Sequence, residues 1–329
     1  MSLSINDIAP AITGDELLKA MAESRNKRKP LIEGLVYERT TLMVSADPGT
    51  GKSTIATQMM IEAAAGLPVF GTLHVDRPLK FLFAQTERSI VESLERLDHI
   101  SKIYPIVKEN IIITDEYQRF NLLNQDHVHM MVNCIKRDCP AGVDVIVWDP
   151  IYCMVAGGLS KDEPASLWCH AMSIIHKDIG AAHWYNHHTV KPEYKEGVKY
   201  VRDDPFYGSR WLNAHCTGAY YMERSEKGVR ISCKKDNYAI LGKCFELEYD
   251  SETGLSVVPF SELPAIERVK NFVDARKIDN KTFCFDEMVK ATGLSVRICR
   301  SILSVHSPIS DRFVVVSSIK NKHLYKAAP

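Results

Sequence analysis

Two hydrophobic periodicities alternate along the first two thirds of this chain. Short apolar runs rich in β-branched residues at 40–45, 79–85, 110–114, 143–148 and 182–186 predict strands, and apolar positions at helical spacing predict helices at 52–65, 89–100, 125–137 and 164–179. Strand and helix in regular alternation build a mostly parallel sheet covered on both faces. After Gly218 the pattern changes. Strands follow one another at 219–224, 229–234, 245–250 and 255–258, with turn signals at 226–228 and 251–254, which predicts an antiparallel extension of the same sheet.

The two ends read differently. Residues 1–34 predict an arm, with Thr13-Gly14-Asp15-Glu16 opening a helix and a basic run at 25–29, while 35–258 form the α/β unit. A linker at 259–264 leads into 261–329, where helix (266–275), strand (282–285), helix (286–291), turn, helix (296–305) and a hairpin (312–317 and 323–326) follow in the order of a winged helix-turn-helix.

Composition narrows the function classes. At 329 residues, 45% hydrophobic and 25% charged, the chain is long enough for one large core and a small second domain. Its formal net charge is zero, so a polyanion would have to meet local basic patches rather than a bulk field. From Ser261 onward 12 Lys/Arg face 7 Asp/Glu, which makes that segment basic. No apolar run has the length of a membrane span and none has the flanks of a signal peptide, so the sequence predicts a cytoplasmic protein. Nine cysteines without a C-x-x-C pair predict reduced thiols rather than a disulfide framework or a zinc site.

The chemistry is concentrated where the first strand of the α/β unit meets its helix. Ser45-Ala46-Asp47-Pro48-Gly49-Thr50-Gly51-Lys52-Ser53-Thr54 is a phosphate loop in its required strand–loop–helix context. Gly49 and Gly51 let backbone N–H groups turn toward phosphate oxygens, the helix N-terminus adds positive partial charge, Lys52 reaches the β- and γ-phosphates, and Ser53 supplies a Mg²⁺ ligand. The strict pattern has Gly where this chain has Ala46. The apolar run 143–148 ends in Asp149, the acid expected to hold the magnesium-bound water opposite Ser53. ATP and Mg²⁺ are the implied ligands.

Hydrolysis also needs a group that orients water, and Glu87, closing the run Phe81-Leu82-Phe83-Ala84-Gln85-Thr86, is the candidate. Its other reading is a first-turn Glu favoured by the dipole of the helix at 89–100. His187 and His188 close the strand at 182–186 and are candidates to sense a γ-phosphate, or ordinary hydrogen-bonded histidines at a strand end.

Taken together these residues resemble the RecA-like hexameric replicative helicases, and within them the plasmid RepA type, over about residues 35–249. The resemblance implies a homo-oligomeric ring, most simply a hexamer, that moves on single-stranded DNA in replication. It puts the catalytic Glu at Glu87, the His pair at 187–188, a Gly-Ser segment at Gly208-Ser209 and a Lys-x-Asn-Tyr segment at Lys235-Asp236-Asn237-Tyr238. In that pattern an arginine finger follows Gly-Ser, where this chain has Ala214-His215-Cys216-Thr217. Arg210 and Lys235 are therefore the candidate cations, to be supplied to a neighbour's γ-phosphate. Two loops at 155–166 and 189–210 are the expected DNA contacts, the second through Lys191, Lys195, Lys199 and Arg202 with aromatic residues interleaved. Its acidic residues also allow a solvated loop. Arg297 and Arg300 on the last helix are candidates for duplex binding, and such domains also mediate protein contacts. Two rival functions stay open: a DNA-remodelling, loading or recombination ATPase, and an initiator that uses ATP only as an assembly switch.

Overall fold

The computed structural model describes residues 13–18, 29–155, 158–190, 193–195, 198–200, 206–225, 228–238, 242, 244–250, 254–258, 265–278, 282–303, 313–319 and 322–327. A small antiparallel pair, β1 (Pro30–Ile32) and β2 (Val36–Tyr37), precedes the main sheet. Of the expected N-terminal arm, residues 14–18 are helical and exposed; the basic run at 25–28 and the linker at 259–264 lie outside the described residues.

Five strands alternate with helices: β3 (Thr41–Ala46), α1 (Lys52–Ala64), β4 (Phe81–Gln85), α2 (Ile90–Ser101), β5 (Ile111–Thr114), α3 (Gln125–Asp138), β6 (Val145–Asp149), α4 (Asp162–Ile179) and β7 (Ala182–His188). A hairpin of β8 (Glu193–Lys195) and β9 (Val198–Tyr200) follows, then α5 (Arg210–His215), β10 (Gly218–Arg224), β11 (Gly228–Asp236), β12 (Cys244–Asp250) and β13 (Gly254–Val257). Nine strands form one sheet in the order β13-β12-β11-β10-β3-β7-β6-β4-β5.

The buried strands explain the uninterrupted apolar runs. Every residue of β3, β4 and β6 is buried, and alternate side chains enter two cores: Leu42, Val44, Phe81, Phe83, Val145 and Val147 on the α1 face, and Met43, Leu82, Ala84, Ile146 and Trp148 on the other. Ser89 and Asn124 cap α2 and α3 by accepting from Val91 N at 3.3 Å and Asp126 N at 2.9 Å, and Gly180, at φ +77°, ends α4 in the left-handed conformation.

One expectation changes here. The strand 219–224 is expected in the antiparallel extension, but β10 runs parallel to β3, and antiparallel pairing begins only with β11. The cause is α5, which carries the chain back to the starting edge of the sheet, where Thr41 N and Thr217 Oγ1 bond at 2.9 Å and Thr217 N donates to Thr41 Oγ1 at 2.9 Å. Six strands, β10, β3, β7, β6, β4 and β5, are therefore parallel, and their C-terminal ends share one edge.

The C-terminal segment has α6 (Ala265–Ile278), β14 (Thr282–Cys284), α7 (Phe285–Thr292), α8 (Val296–Ile302), β15 (Phe313–Ile319) and β16 (Lys322–Ala327), with strand order β14-β16-β15. Val269, Val273, Phe283, Met288, Leu294, Cys299 and Tyr325 form its own small core. No helix among the described residues is long and apolar enough to cross a membrane.

Candidate functional site

The shared C-terminal edge of the parallel strands gathers residues distant in sequence. Ala46 of β3 pairs in register with His188 of β7 and Met222 of β10, and Gln85 of β4 pairs with Asp149 of β6. Ligand sites in open α/β sheets lie beyond this edge.

Between β3 and α1 the backbone turns through Gly49 at φ +76° and Gly51 at φ +101°. A Cβ built on Gly51 would meet nothing within 4 Å, so it is the left-handed backbone, not lack of space, that calls for glycine there. Gly51 also brings no side chain to cap α1. A helix N-terminus without its own cap is a place for an anion. Ala46 is the last residue of β3, with its side chain in the core, which accommodates the departure from glycine at that position.

Lys52 is buried, and its Nζ donates to Ala46 O at 2.7 Å and Asp47 O at 3.3 Å. Burial lowers the pKa of its ammonium, while Asp149, Asp47 and Glu87 act in the opposite direction. Three carboxylates thus converge on one lysine. Thr189, just past β7, donates its hydroxyl to Asp47 Oδ1, and Arg224, at the end of β10, donates to Gly49 O at 2.9 Å.

Asp149 is only 4% exposed. Its Oδ1 accepts from Asn186 Nδ2 at 2.9 Å, and Asn186 Oδ1 in turn accepts from Trp184 Nε1 at 2.8 Å. Oδ2 is buried and has no hydrogen-bond partner among the described residues. A buried carboxylate oxygen left without a partner calls for a ligand. Mg²⁺ suits this place, because it binds through one or two protein groups together with phosphates and water rather than through an all-protein cage.

Glu87 lies two residues beyond the end of β4 and is exposed; its Oε1 accepts from Tyr152 Oη at 2.6 Å. The Tyr152 ring lies 4.9 Å, centroid to centroid, from that of His188. The two histidines, read from sequence as one pair just past a strand, sit inside β7 and so face opposite ways. His187 Nε2 is fastened to Tyr207 O at 2.6 Å, and burial brings its pKa down to about 4, so the ring is neutral. His188 is half-buried; burial lowers its pKa, and the Lys52 charge adds to that effect.

Arg210 opens α5 and is exposed. Lys235 is engaged within its own chain: Nζ donates to Asn213 O at 2.5 Å and Ala214 O at 3.2 Å, carbonyls of the last turn of α5. Of the expected DNA loops, the first ends at Lys161 because α4 starts at Asp162, and the second contains the β8–β9 hairpin. Lys195 and Lys199 lie on its two strands, in pairs with Val198 and Tyr194, while Lys191 and Arg202 lie outside the described residues. Arg297 and Arg300 are exposed on α8, with the Arg300 guanidinium 5.8 Å from the Phe285 ring centre.

Next to the phosphate loop lies a cavity of about 570 Å³, lined by residues that include Thr54, Glu92, Arg96, His99 and Tyr249. His99 Nε2 and Tyr249 Oη are 3.2 Å apart, and Arg96 Nη1 is buried without a hydrogen-bond partner among the described residues. Tyr152, Asn186, Arg224 and the cavity residues other than Thr54 carry no role in the sequence reading. Only Asn186, two positions before His188 on the same face of a strand, left a signal that could have been read.

Residues 13–193, more than half of the chain, match the AAA domain family. No curated protein sequence matches. Among solved structures, the ATPase domain of the protein G40-P is similar, with a TM-score of 0.53 and 13% identity over 74% of this chain and 96% of that one. A KaiC-like protein from the hyperthermophilic archaeon Pyrococcus horikoshii OT3 is similar with a TM-score of 0.48 and 17% identity over 71% of this chain and 99% of that one.

Proposed function

The chain belongs to the AAA domain family and has the RecA-like P-loop ATPase fold, and from that premise we propose that it is a Mg²⁺-dependent ATPase that assembles into a ring, most simply a hexamer, and moves on single-stranded DNA as a replicative helicase or translocase. The observation that carries the reading is the orphaned Oδ2 of Asp149, buried at the same sheet edge as Lys52 and the uncapped N-terminus of α1.

Each residue has a role in this reading. Loop residues Ala46, Asp47, Pro48, Gly49, Thr50 and Gly51 wrap the phosphates with backbone groups; Lys52 leaves its loop carbonyls for the β- and γ-phosphates; Thr54 continues the phosphate contact toward the cavity. Ser53 and Asp149 would hold Mg²⁺, which when bound neutralises charge on the β- and γ-oxygens. Asn186 orients Asp149. Glu87 orients and accepts a proton from the attacking water, and His188 faces the γ-phosphate as sensor while His187 holds the strand end in place. Arg210 is the better candidate for the cation given to a neighbour, since Lys235 is occupied at α5.

For DNA, the second loop, with Lys191, Lys195, Lys199 and Arg202 and the β8–β9 hairpin, faces the strand in the channel. The helix–strand–helix–helix–hairpin order after residue 264 supports a separate winged-helix domain at 261–329, in which Arg297 and Arg300 meet duplex DNA or a replication partner. Nucleotide binding and turnover test the core: Lys52→Ala should lose binding, and Glu87→Gln should bind and not turn over. Unchanged affinity in Lys52→Ala removes the site. Unwinding of a forked substrate separates a helicase from a loader or an assembly switch.

A further inference from the structure

Glu87 is an exposed carboxylate in the short turn between β4 and α2, a poor place from which to aim a base. Its neighbour Arg88 is bonded to Glu92 at 2.8 Å. The group that reaches Glu87 comes from another part of the chain. Tyr152 lies in the short 3-10 turn Ile151–Met154 that leaves Asp149 and Pro150.

That turn is anchored on both sides. Thr86 N donates to Asp149 O at 2.9 Å, the Thr86 hydroxyl donates to Pro150 O, and Leu122 N donates to Met154 O at 3.0 Å. Ile151 and Met154 are buried in the core below. Tyr152 therefore stands on a fixed base, its ring against His188 and its hydroxyl on Glu87 Oε1 at 2.6 Å. Burial first, and then the bond to Glu87, push the ionisation of this hydroxyl upward, so it stays a donor across the working pH range.

We propose that Tyr152 is the positioning residue for Glu87: its hydroxyl holds Oε1 so that Oε2 is presented to the water that attacks the γ-phosphate. The inference rests on the ATPase reading above. No proton leaves Tyr152 in this step; the proton of the water goes to Glu87.

The test is steady-state ATPase of the full chain carrying Tyr152→Phe, which keeps the ring against His188 and removes only the hydroxyl. The expected result is a fall in kcat of about tenfold, as for a slightly misplaced catalytic group, with KM and the affinity for a fluorescent ATP analogue unchanged. Unchanged affinity also reports an intact fold. In a Glu87→Gln background the same change should cost nothing further, because Tyr152 acts through Glu87. Wild-type kcat in Tyr152→Phe, a parallel change in KM, or an additive loss in the double variant overturns the proposal. Full turnover by Glu87→Gln would overturn the reading of Glu87 itself, and so is told apart from a failure of Tyr152 alone.

Discussion

Replacing Asn186 by Ala removes the side chain that links Trp184 to Asp149, and two losses follow from the structure. The Nδ2 donor to Asp149 Oδ1, 2.9 Å away, is a hydrogen bond to a carboxylate, for which about 1.5–3 kcal/mol is typical. The Trp184 indole N–H, bonded to Asn186 Oδ1 at 2.8 Å, is left buried without its acceptor at about 1–3 kcal/mol. Together these predict a loss of about 2.5–6 kcal/mol, set against the roughly 5–15 kcal/mol of an ordinary domain. Urea unfolding should show a lower midpoint with an unchanged slope. The same substitution frees the carboxylate expected to hold Mg²⁺, and losing the partner of a metal ligand typically costs about 10–100-fold in metal affinity. Binding of a fluorescent ATP analogue should therefore weaken at least tenfold in Mg²⁺ and stay near wild type in EDTA. Equal weakening in both buffers, or a stability change under about 1 kcal/mol, would refute the chain of reasoning from Trp184 through Asn186 to Asp149.

Three further outcomes are expected. Mixing Arg210→Ala chains with Lys52→Ala chains should restore part of the ATPase through hybrid sites, whereas Lys235→Ala chains should keep their own ATPase and instead lose about 1–2 kcal/mol of stability from the end of α5; an inactive Lys235→Ala chain rescued by mixing, with no rescue of Arg210→Ala, would reverse the assignment. His187, with its pKa brought down to about 4 by burial, binds a proton more readily when unfolded, near 6.5, so its contribution is present above pH 6.5 and is lost as the pH falls from there toward 4. That window is worth on the order of 3 kcal/mol, and unfolding midpoints of wild type and His187→Gln measured from about pH 7 to about pH 4.5 should converge on acidification; parallel curves would count against it. His99→Ala and Tyr249→Ala should each weaken ATP binding several-fold, as lost stacking of about 1 kcal/mol does, and leave inorganic triphosphate binding unchanged by calorimetry, since the cavity they line lies beside Thr54, where a nucleoside would sit; equal losses for both ligands would place the nucleoside elsewhere.

How much of this could be read from the sequence depends on how local each signal is. The phosphate loop, the strand ending in Asp149 and the buried central strands are encoded by neighbours within about ten residues, and their signals are read directly from spacing and apolar runs. Tyr152, Arg224 and the pair His99 and Tyr249 reach their places only through the sheet, in contacts 65, 175 and 150 residues apart in sequence, and no local pattern marks them. Arg224 shows how one wrong direction hides a residue. With 219–224 as the first antiparallel strand, its last residue falls at the far edge of the sheet; run parallel to β3, it falls on Gly49. The deciding feature is the six-residue helix α5, whose Leu212 is buried against the face opposite α1. A helix crossing between two strands returns the chain to its starting edge, so the next strand must run parallel. Lys235 is tied to the same helix: its carbonyl contacts on Asn213 and Ala214 exist because α5 ends beside β11. One short crossover thus both delivers Arg224 to the phosphate loop and engages Lys235 within its own chain, which is why the proposed cation candidates cannot be ranked until the direction of β10 is known.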